Sequence, residues 1–214
     1  SVQGPKSMDL ISKIFNERIV IIKKFSFKNI IYDNMDLIIS NTGYTGSLGF
    51  ELYAENELIP TLWKELLDKG SEFNVNPIGL GARDTLRMEM GYCLYGNDID
   101  DITTPFEANL MWITNLDKDF IGREKVLNSI KNSSTRMINF KMIDRGIPRS
   151  GYEIIDDEGN NIGHVTSGTF SPTNKTGIGI GYINNGYKIG EYIFILIRDK
   201  SVKAEIIKLP IING

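Results

Sequence analysis

The stretch NIGHVTSGTFSPTNKTGIGIGY, Asn161–Tyr182, decides the fold of the chain's second half. It begins and ends on short strand-like runs, Asn161–Thr166 and Ile178–Tyr182, rich in β-branched residues. Working outward, Met137–Met142, Tyr152–Ile155, Tyr192–Arg198 and Lys203–Ile207 repeat the pattern, and turn clusters such as Asp157-Glu158-Gly159-Asn160 separate the runs at regular spacing. This half reads as all-β, a small barrel or sandwich. The polar hinge Lys131-Asn132-Ser133-Ser134 precedes it, so two domains are expected, 1–132 and 133–214.

The first half carries a different period. Met8, Ile11 and Ile14 recur at helical spacing after Gly4-Pro5, which predicts a short helix over Pro5–Phe15. Ile19–Phe25 and Asp36–Ser40 are strand-like runs separated by a polar, turn-rich stretch, and Phe50–Ala54 is a third. Together they predict a small antiparallel sheet. Leu58, Leu62, Trp63, Leu66 and Leu67 define the apolar face of a covering helix that ends at Gly70. Pro77–Met90 reads as a further helix with Arg83 and Arg87 one turn apart on one face, and Phe120–Ile130 as a short linking helix.

Composition narrows the function classes. In 214 residues, 41% are hydrophobic and 24% charged, enough to bury a substantial core and too apolar for a disordered chain. Charged residues interrupt every apolar run, including Ile19–Ile22 and Ile193–Ile197, well short of the roughly 20 residues that span a bilayer. A net charge of −3 gives no electrostatic reason to expect nucleic acid or a membrane surface as partner. One cysteine, Cys93, and one histidine, His164, leave neither an internal disulfide nor a Cys/His zinc site, and a reducing compartment follows. The start at Ser1-Val2-Gln3 shows no initiator Met and no targeting segment, the expectation for a processed chain or a fragment.

Several residues carry chemistry that must be weighed against packing. Asn41–Gly49 places three glycines in nine residues, which suits either a backbone approach to a ligand or an ordinary hairpin turn. Glu51 follows at the start of a strand, where a carboxylate can accept paired hydrogen bonds from an amino-pyrimidine edge; a solvent-facing strand glutamate is the plainer alternative. Arg83 and Arg87 can fork onto a carboxylate or pair structurally with Asp84 and Glu89, and for Arg87 the structural role is favoured. Tyr44 and Trp112 are candidate walls for a flat heterocycle, although such aromatics more often pack in cores. Asp98, Asp100 and Asp101 lack the glycine and terminal glutamate of a calcium loop and are expected to be solvated, with local turn bonds. His164 is expected to be a satisfied structural imidazole, and Cys93 has no partner base that would make it a nucleophile.

Taken in order, Gln3-Gly4-Pro5-Lys6, Thr42-Gly43-Tyr44-Thr45-Gly46 with Gly49-Phe50-Glu51, Gly79–Arg87, and Leu94-Tyr95-Gly96-Asn97-Asp98 resemble the glycine-cleavage T-protein family of aminomethyltransferases. The resemblance continues through Thr104-Pro105, Phe120–Glu124, Gly146-Ile147-Pro148-Arg149 and Thr166–Pro172, so it spans essentially the whole chain. It implies an α+β fold: a ferredoxin-like antiparallel sheet with helices, followed by a C-terminal β-barrel domain. It also implies tetrahydrofolate as co-substrate and the lipoylated H-protein as partner, the aminomethyl carbon passing from the lipoyl arm to the folate with release of ammonia. Glu51, Arg83 and Tyr44 match family folate-binding positions, and Trp112 and Arg149 match the neighbourhood of the folate channel.

Measured against the family, this sequence begins within the first domain. The family's catalytic aspartate has no counterpart, so no catalytic residue is assigned, and activity of the chain alone is not expected. The missing N-terminal segment is a candidate partner as a separate chain. Two rival readings share the folate site: a folate-dependent demethylase relative and a non-catalytic folate-binding module. Relatives of the second kind carry a Cys motif, whereas Gly91-Tyr92-Cys93-Leu94-Tyr95-Gly96 follows the T-protein pattern. The resemblance implies bacterial cytoplasm or, in a eukaryote, the mitochondrial matrix.

Overall fold

The structure, a computed structural model, describes residues 1–15, 22–208 and 210. It divides into two compact units, 1–86 and 87–213, the division falling within one helix.

In the first unit, β1 (Val2–Gln3), β2 (Phe27–Tyr32), β3 (Met35–Ser40) and β4 (Gly49–Ala54) form a fully antiparallel sheet in the order β1-β4-β3-β2. Helices α1 (Ser7–Phe15) and α2 (Ile59–Gly70) follow β1 and β4. The period-2 alternation of β3 sends Leu37 and Ile39 into the core and leaves Ile38 exposed. Those side chains pack with Phe50 of β4, Leu10, Ile11, Ile14 and Phe15 of α1 and Leu62 of α2. Asp33 and Asn34 both have positive φ, 51° and 59°, which makes the β2–β3 connection a two-residue turn whose twist matches the strands.

One expectation fails here. Of the proposed strand Ile19–Phe25, residues 19–21 lie outside the described residues, and Lys24-Phe25 forms a turn with Phe25 at φ 62°. The strand is instead Phe27–Tyr32, within the stretch read as turn-rich. As the edge strand, β2 leaves Lys28 and Asn29 exposed, so its polar residues cost nothing and hide the pattern. Trp63, placed on the apolar face of α2, is 53% exposed.

Helix α3 (Leu80–Glu89) leads into the second unit, which continues through a 3-10 turn at Met111–Ile113 and α4 (Arg123–Asn132). Both helices start later than expected, the carbonyls of Gly79 and of Gly122, the latter at φ 92°, accepting bonds from the first turns. Six strands follow: β5 (Thr135–Met142), β6 (Glu153–Ile155), β7 (Asn161–Ser171), β8 (Thr176–Asn184), β9 (Tyr192–Ile197) and β10 (Lys200–Ile207). They close as β10-β5-β8-β7-β6-β9, with β10 pairing back onto β9, so no strand is left with an open edge. The α+β half followed by a barrel is the architecture the sequence implied, and closure decides barrel over sandwich. Phe140, Ile154, Val165, Ile183, Ile193, Ile195 and Ala204 fill the interior. A second cluster, Met88 with Met137, Ile178 and Ile180, packs the end of α3 onto the barrel wall. No helix among the described residues is long and apolar enough to cross a membrane.

Candidate functional site

The glycine loop 41–49 joins β3 to β4 and brings Glu51 opposite Ser40 in the sheet register. Ser40 and Thr42 hydroxyls lie 2.6 Å apart, and Thr42 Oγ1 donates to Glu51 Oε2 at 2.5 Å. Tyr53 donates to the same oxygen from 3.4 Å, so the half-buried carboxylate is oriented through Oε2 while Oε1 has no partner among the described residues. Two of the glycines serve packing, not a ligand. A Cβ on Gly43 or Gly49 would fall 2.0 or 2.2 Å from Gln3 Oε1, because the Gln3 side chain lies across both. Gln3 in turn donates to the carbonyls of Thr42 and Phe50 and accepts from Thr45. The tight loop is therefore closed by β1, a role sequence spacing did not reveal.

In the same unit, the Arg83 guanidinium sits over the Tyr44 ring, 5.0 Å from its centroid. A cation on an aromatic face is attracted by the ring quadrupole, and stacking leaves the planar donor edge of Arg83 free to address an anion. Both residues are half-buried. The structure thus brings Tyr44 and Arg83 together and places Glu51 at the foot of Tyr44's loop. The other two predicted residues belong to the second unit. Trp112 lies on the 3-10 turn and is 82% exposed, which excludes a core role, and Arg149 is exposed on the loop between β5 and β6.

Arg87 faces the barrel. Its guanidinium donates to Asp98 Oδ2 at 2.6 Å, Ser167 Oγ at 2.8 Å and the Tyr92 carbonyl at 2.9 Å, with both charged side chains at most 1% exposed. Asp98 also accepts from the Leu94 N–H and from the Thr166 hydroxyl, and its carbonyl takes the Tyr182 hydroxyl. A buried ion pair survives only when its remaining lone pairs and protons are satisfied in this way. Two expectations are corrected. Asp98 is buried and charge-paired, not solvated, and Glu89 bonds to Ser171 and Thr173 instead of to an arginine. Asp100 does make the expected turn bonds, to Ile102 and Thr103. His164, expected as a satisfied structural imidazole, is exposed and stacks on Tyr182. Burial pushes the Cys93 thiol up to about 11, with Asp98 adding to the shift and Arg87 opposing it. A thiol so held is protonated at neutral pH.

A family profile described as the GCVT N-terminal domain matches residues 1–118, and one described as the glycine cleavage T-protein C-terminal barrel domain matches residues 136–213. The chain belongs to the glycine cleavage T-protein family. Among its relatives, an aminomethyltransferase of Bacteroides thetaiotaomicron is 47% identical over 215 residues, covering 98% of this chain and 60% of the relative. One from Thermosipho melanesiensis is 45% identical, covering 100% of this chain and 58% of the relative. The crystal structure of glycine cleavage system aminomethyltransferase T from Bartonella henselae superimposes with a TM-score of 0.87 at 32% identity, over 98% of this chain and 58% of that one. This T-protein chain therefore spans about 60% of the length of the curated relatives it matches.

Proposed function

We propose that this T-protein chain takes part in aminomethyl transfer, carrying the pterin-facing half of a tetrahydrofolate site that accepts the aminomethyl carbon from the lipoyl arm of an H-protein with release of ammonia. The observation that supports the reading is the oriented Glu51 carboxylate, bound through Oε2 by Thr42 and Tyr53 with Oε1 left over. A pterin presents neighbouring ring and amino N–H donors, and a fixed carboxylate oxygen matches that edge. Arg83, held over Tyr44, suits the anionic or carbonyl groups of the same ligand, and the ring beneath it offers a stacking surface. Trp112 and Arg149 are further candidates for ligand contact. Tetrahydrofolate, as co-substrate, supplies the nitrogens that receive the one-carbon unit. The chain's own residues orient it and neutralise its charge, and none of them is assigned a proton transfer.

Calorimetric titration with tetrahydrofolate tests this, run on the chain alone and on the chain combined with a polypeptide supplying the rest of a relative's length. The expected outcome is tight binding by the combination, with aminomethyl transfer when lipoyl H-protein is supplied. Binding by the chain alone without transfer would point to a retained folate module. Absence of binding in both arms overturns the proposal.

A further inference from the structure

In the first unit, the Gln3 side chain bonds at three points to the loop that carries the candidate ligand groups. Gln3 pairs with Gly49 across β1 and β4, and the two-residue period of the strands puts it on the same sheet face as Glu51. Its Nε2 donates to the carbonyls of Thr42 and Phe50 at 3.3 and 3.4 Å, and its Oε1 accepts from the Thr45 hydroxyl at 3.2 Å. Each of these partners adjoins the site. Thr42 is the residue whose hydroxyl holds Glu51 Oε2, Phe50 directly precedes Glu51, and Thr45 directly follows Tyr44. One amide therefore ties both ends and the middle of the 42–50 segment. Strand β1 is itself pinned, because the Gly4 N–H and the Ser7 hydroxyl both donate to the Leu48 carbonyl, at 2.8 and 3.1 Å. Neither Gly43 nor Gly49 has a positive φ, so the backbone does not call for glycine at either position. What calls for it is Gln3: at both, the three atoms nearest to an added Cβ are those of its side-chain amide.

We propose that Gln3 is a positioning residue for the candidate ligand site: its amide sets the 42–50 loop, and through it the Thr42 bond that aims Glu51 and the placement of the Tyr44 ring beneath Arg83. The inference rests on the proposed function, in which Glu51 and the Arg83–Tyr44 stack meet tetrahydrofolate. A loop with three glycines has more backbone freedom to lose than any other of its length, and ordering it only when the ligand arrives would be charged against affinity. Bonds from Gln3 order it beforehand. Because the amide is the far end of a flexible side chain, a methyl group at Gly49 displaces it without breaking the strand. The loop is then released while the core of Leu10, Leu37 and Ile39, on the other face of the sheet, keeps its packing.

Two substitutions remove the same bonds by different routes. Gln3→Met keeps the length of the side chain and deletes the amide, whereas Gly49→Ala keeps the amide and takes its place. Both variants, and the two changes combined, are made in the full chain joined by a polypeptide supplying the rest of a relative's length, and tetrahydrofolate is titrated calorimetrically. Each single variant is expected to weaken binding by about tenfold, with the combination no weaker than the worse of the two. No matching fall is expected in the urea midpoint of the chain. Losses that add in the combined variant, or that track the urea midpoint, overturn the proposal, since Gln3 is then a structural residue only. Glu51→Ala is titrated alongside to separate the two levels of the argument. If it weakens binding and Gln3→Met does not, the positioning role falls and the ligand reading stands; if the unaltered protein does not bind, both fall. In the chain alone, without ligand, Gln3→Met and Gly49→Ala are expected to shift the same backbone amide resonances between Thr42 and Glu51. Unmoved resonances there overturn the proposal whatever the titration gives.

Discussion

Arg83 and Arg87 are one turn apart on one helix and have opposite employments, which residue type alone does not distinguish. Arg87→Met removes the partner of a buried aspartate, so it is expected to destabilise the second unit by about 3–5 kcal/mol. Arg83→Lys is expected to keep the fold but lose the planar stack on Tyr44, and under the proposed function its cost is expected in tetrahydrofolate affinity. Urea denaturation and ligand titration of the two variants check the contrast; equal loss of stability would remove it. If the proposed function holds, Glu51→Ala is expected to weaken tetrahydrofolate binding in calorimetric titration by about 1–3 kcal/mol, the cost of leaving buried donors unpaired. Cys93 supplies the pH prediction. Its folded-state value of about 11 lies above the ordinary value of 9.0, so the thiol's contribution to stability is present below pH 9 and lost as pH rises through 11. Alkylation of the folded chain by iodoacetamide should accordingly be slow at pH 8 and accelerate toward pH 11; rapid reaction at pH 8 would contradict the assignment.

At the scale of elements, the barrel depends on glycines where backbones approach. A Cβ at Gly168 of β7 would sit 2.3 Å from the Pro148 carbonyl oxygen, and neither backbone can move without shifting the strand or the loop that carries Arg149. Gly168→Ala is expected to destabilise by about 1–3 kcal/mol, measured by thermal or urea unfolding. The strand-rich second half was legible because each run is buried on its inner side, and burial writes the alternation into the sequence. The limits were less legible: β7 extends to Ser171, past the expected Thr166, because a bulge between Val165 and Ser167 breaks the period without ending the ladder. Edge strand β2 was missed for the related reason that an exposed strand is under little pressure to alternate.

For the molecule as a whole, the second unit has its own core, a closed set of strands and the Arg87–Asp98 ion pair. A fragment of residues 87–214 is therefore expected to fold alone and unfold cooperatively, as read by circular dichroism in urea; a fragment without a cooperative transition would show that the barrel depends on the rest of the chain. By itself the sequence determined the α+β-then-barrel order, most of the helices and strands though not edge strand β2, and the family, since these rest on periodicity and on motifs read along the chain. Only the tertiary structure decided that Gln3 closes the glycine loop, that Thr42 and Tyr53 orient Glu51, that Arg83 stacks while Arg87 is buried, and that Asp98 lies in the interior. Gln3, Arg83 and Arg87 meet partners far away in sequence, while Thr42 and Tyr53 reach Glu51 only through the strand pairing and the turn of the loop, and burial sets which charges must be paired; periodicity along the chain encodes none of this.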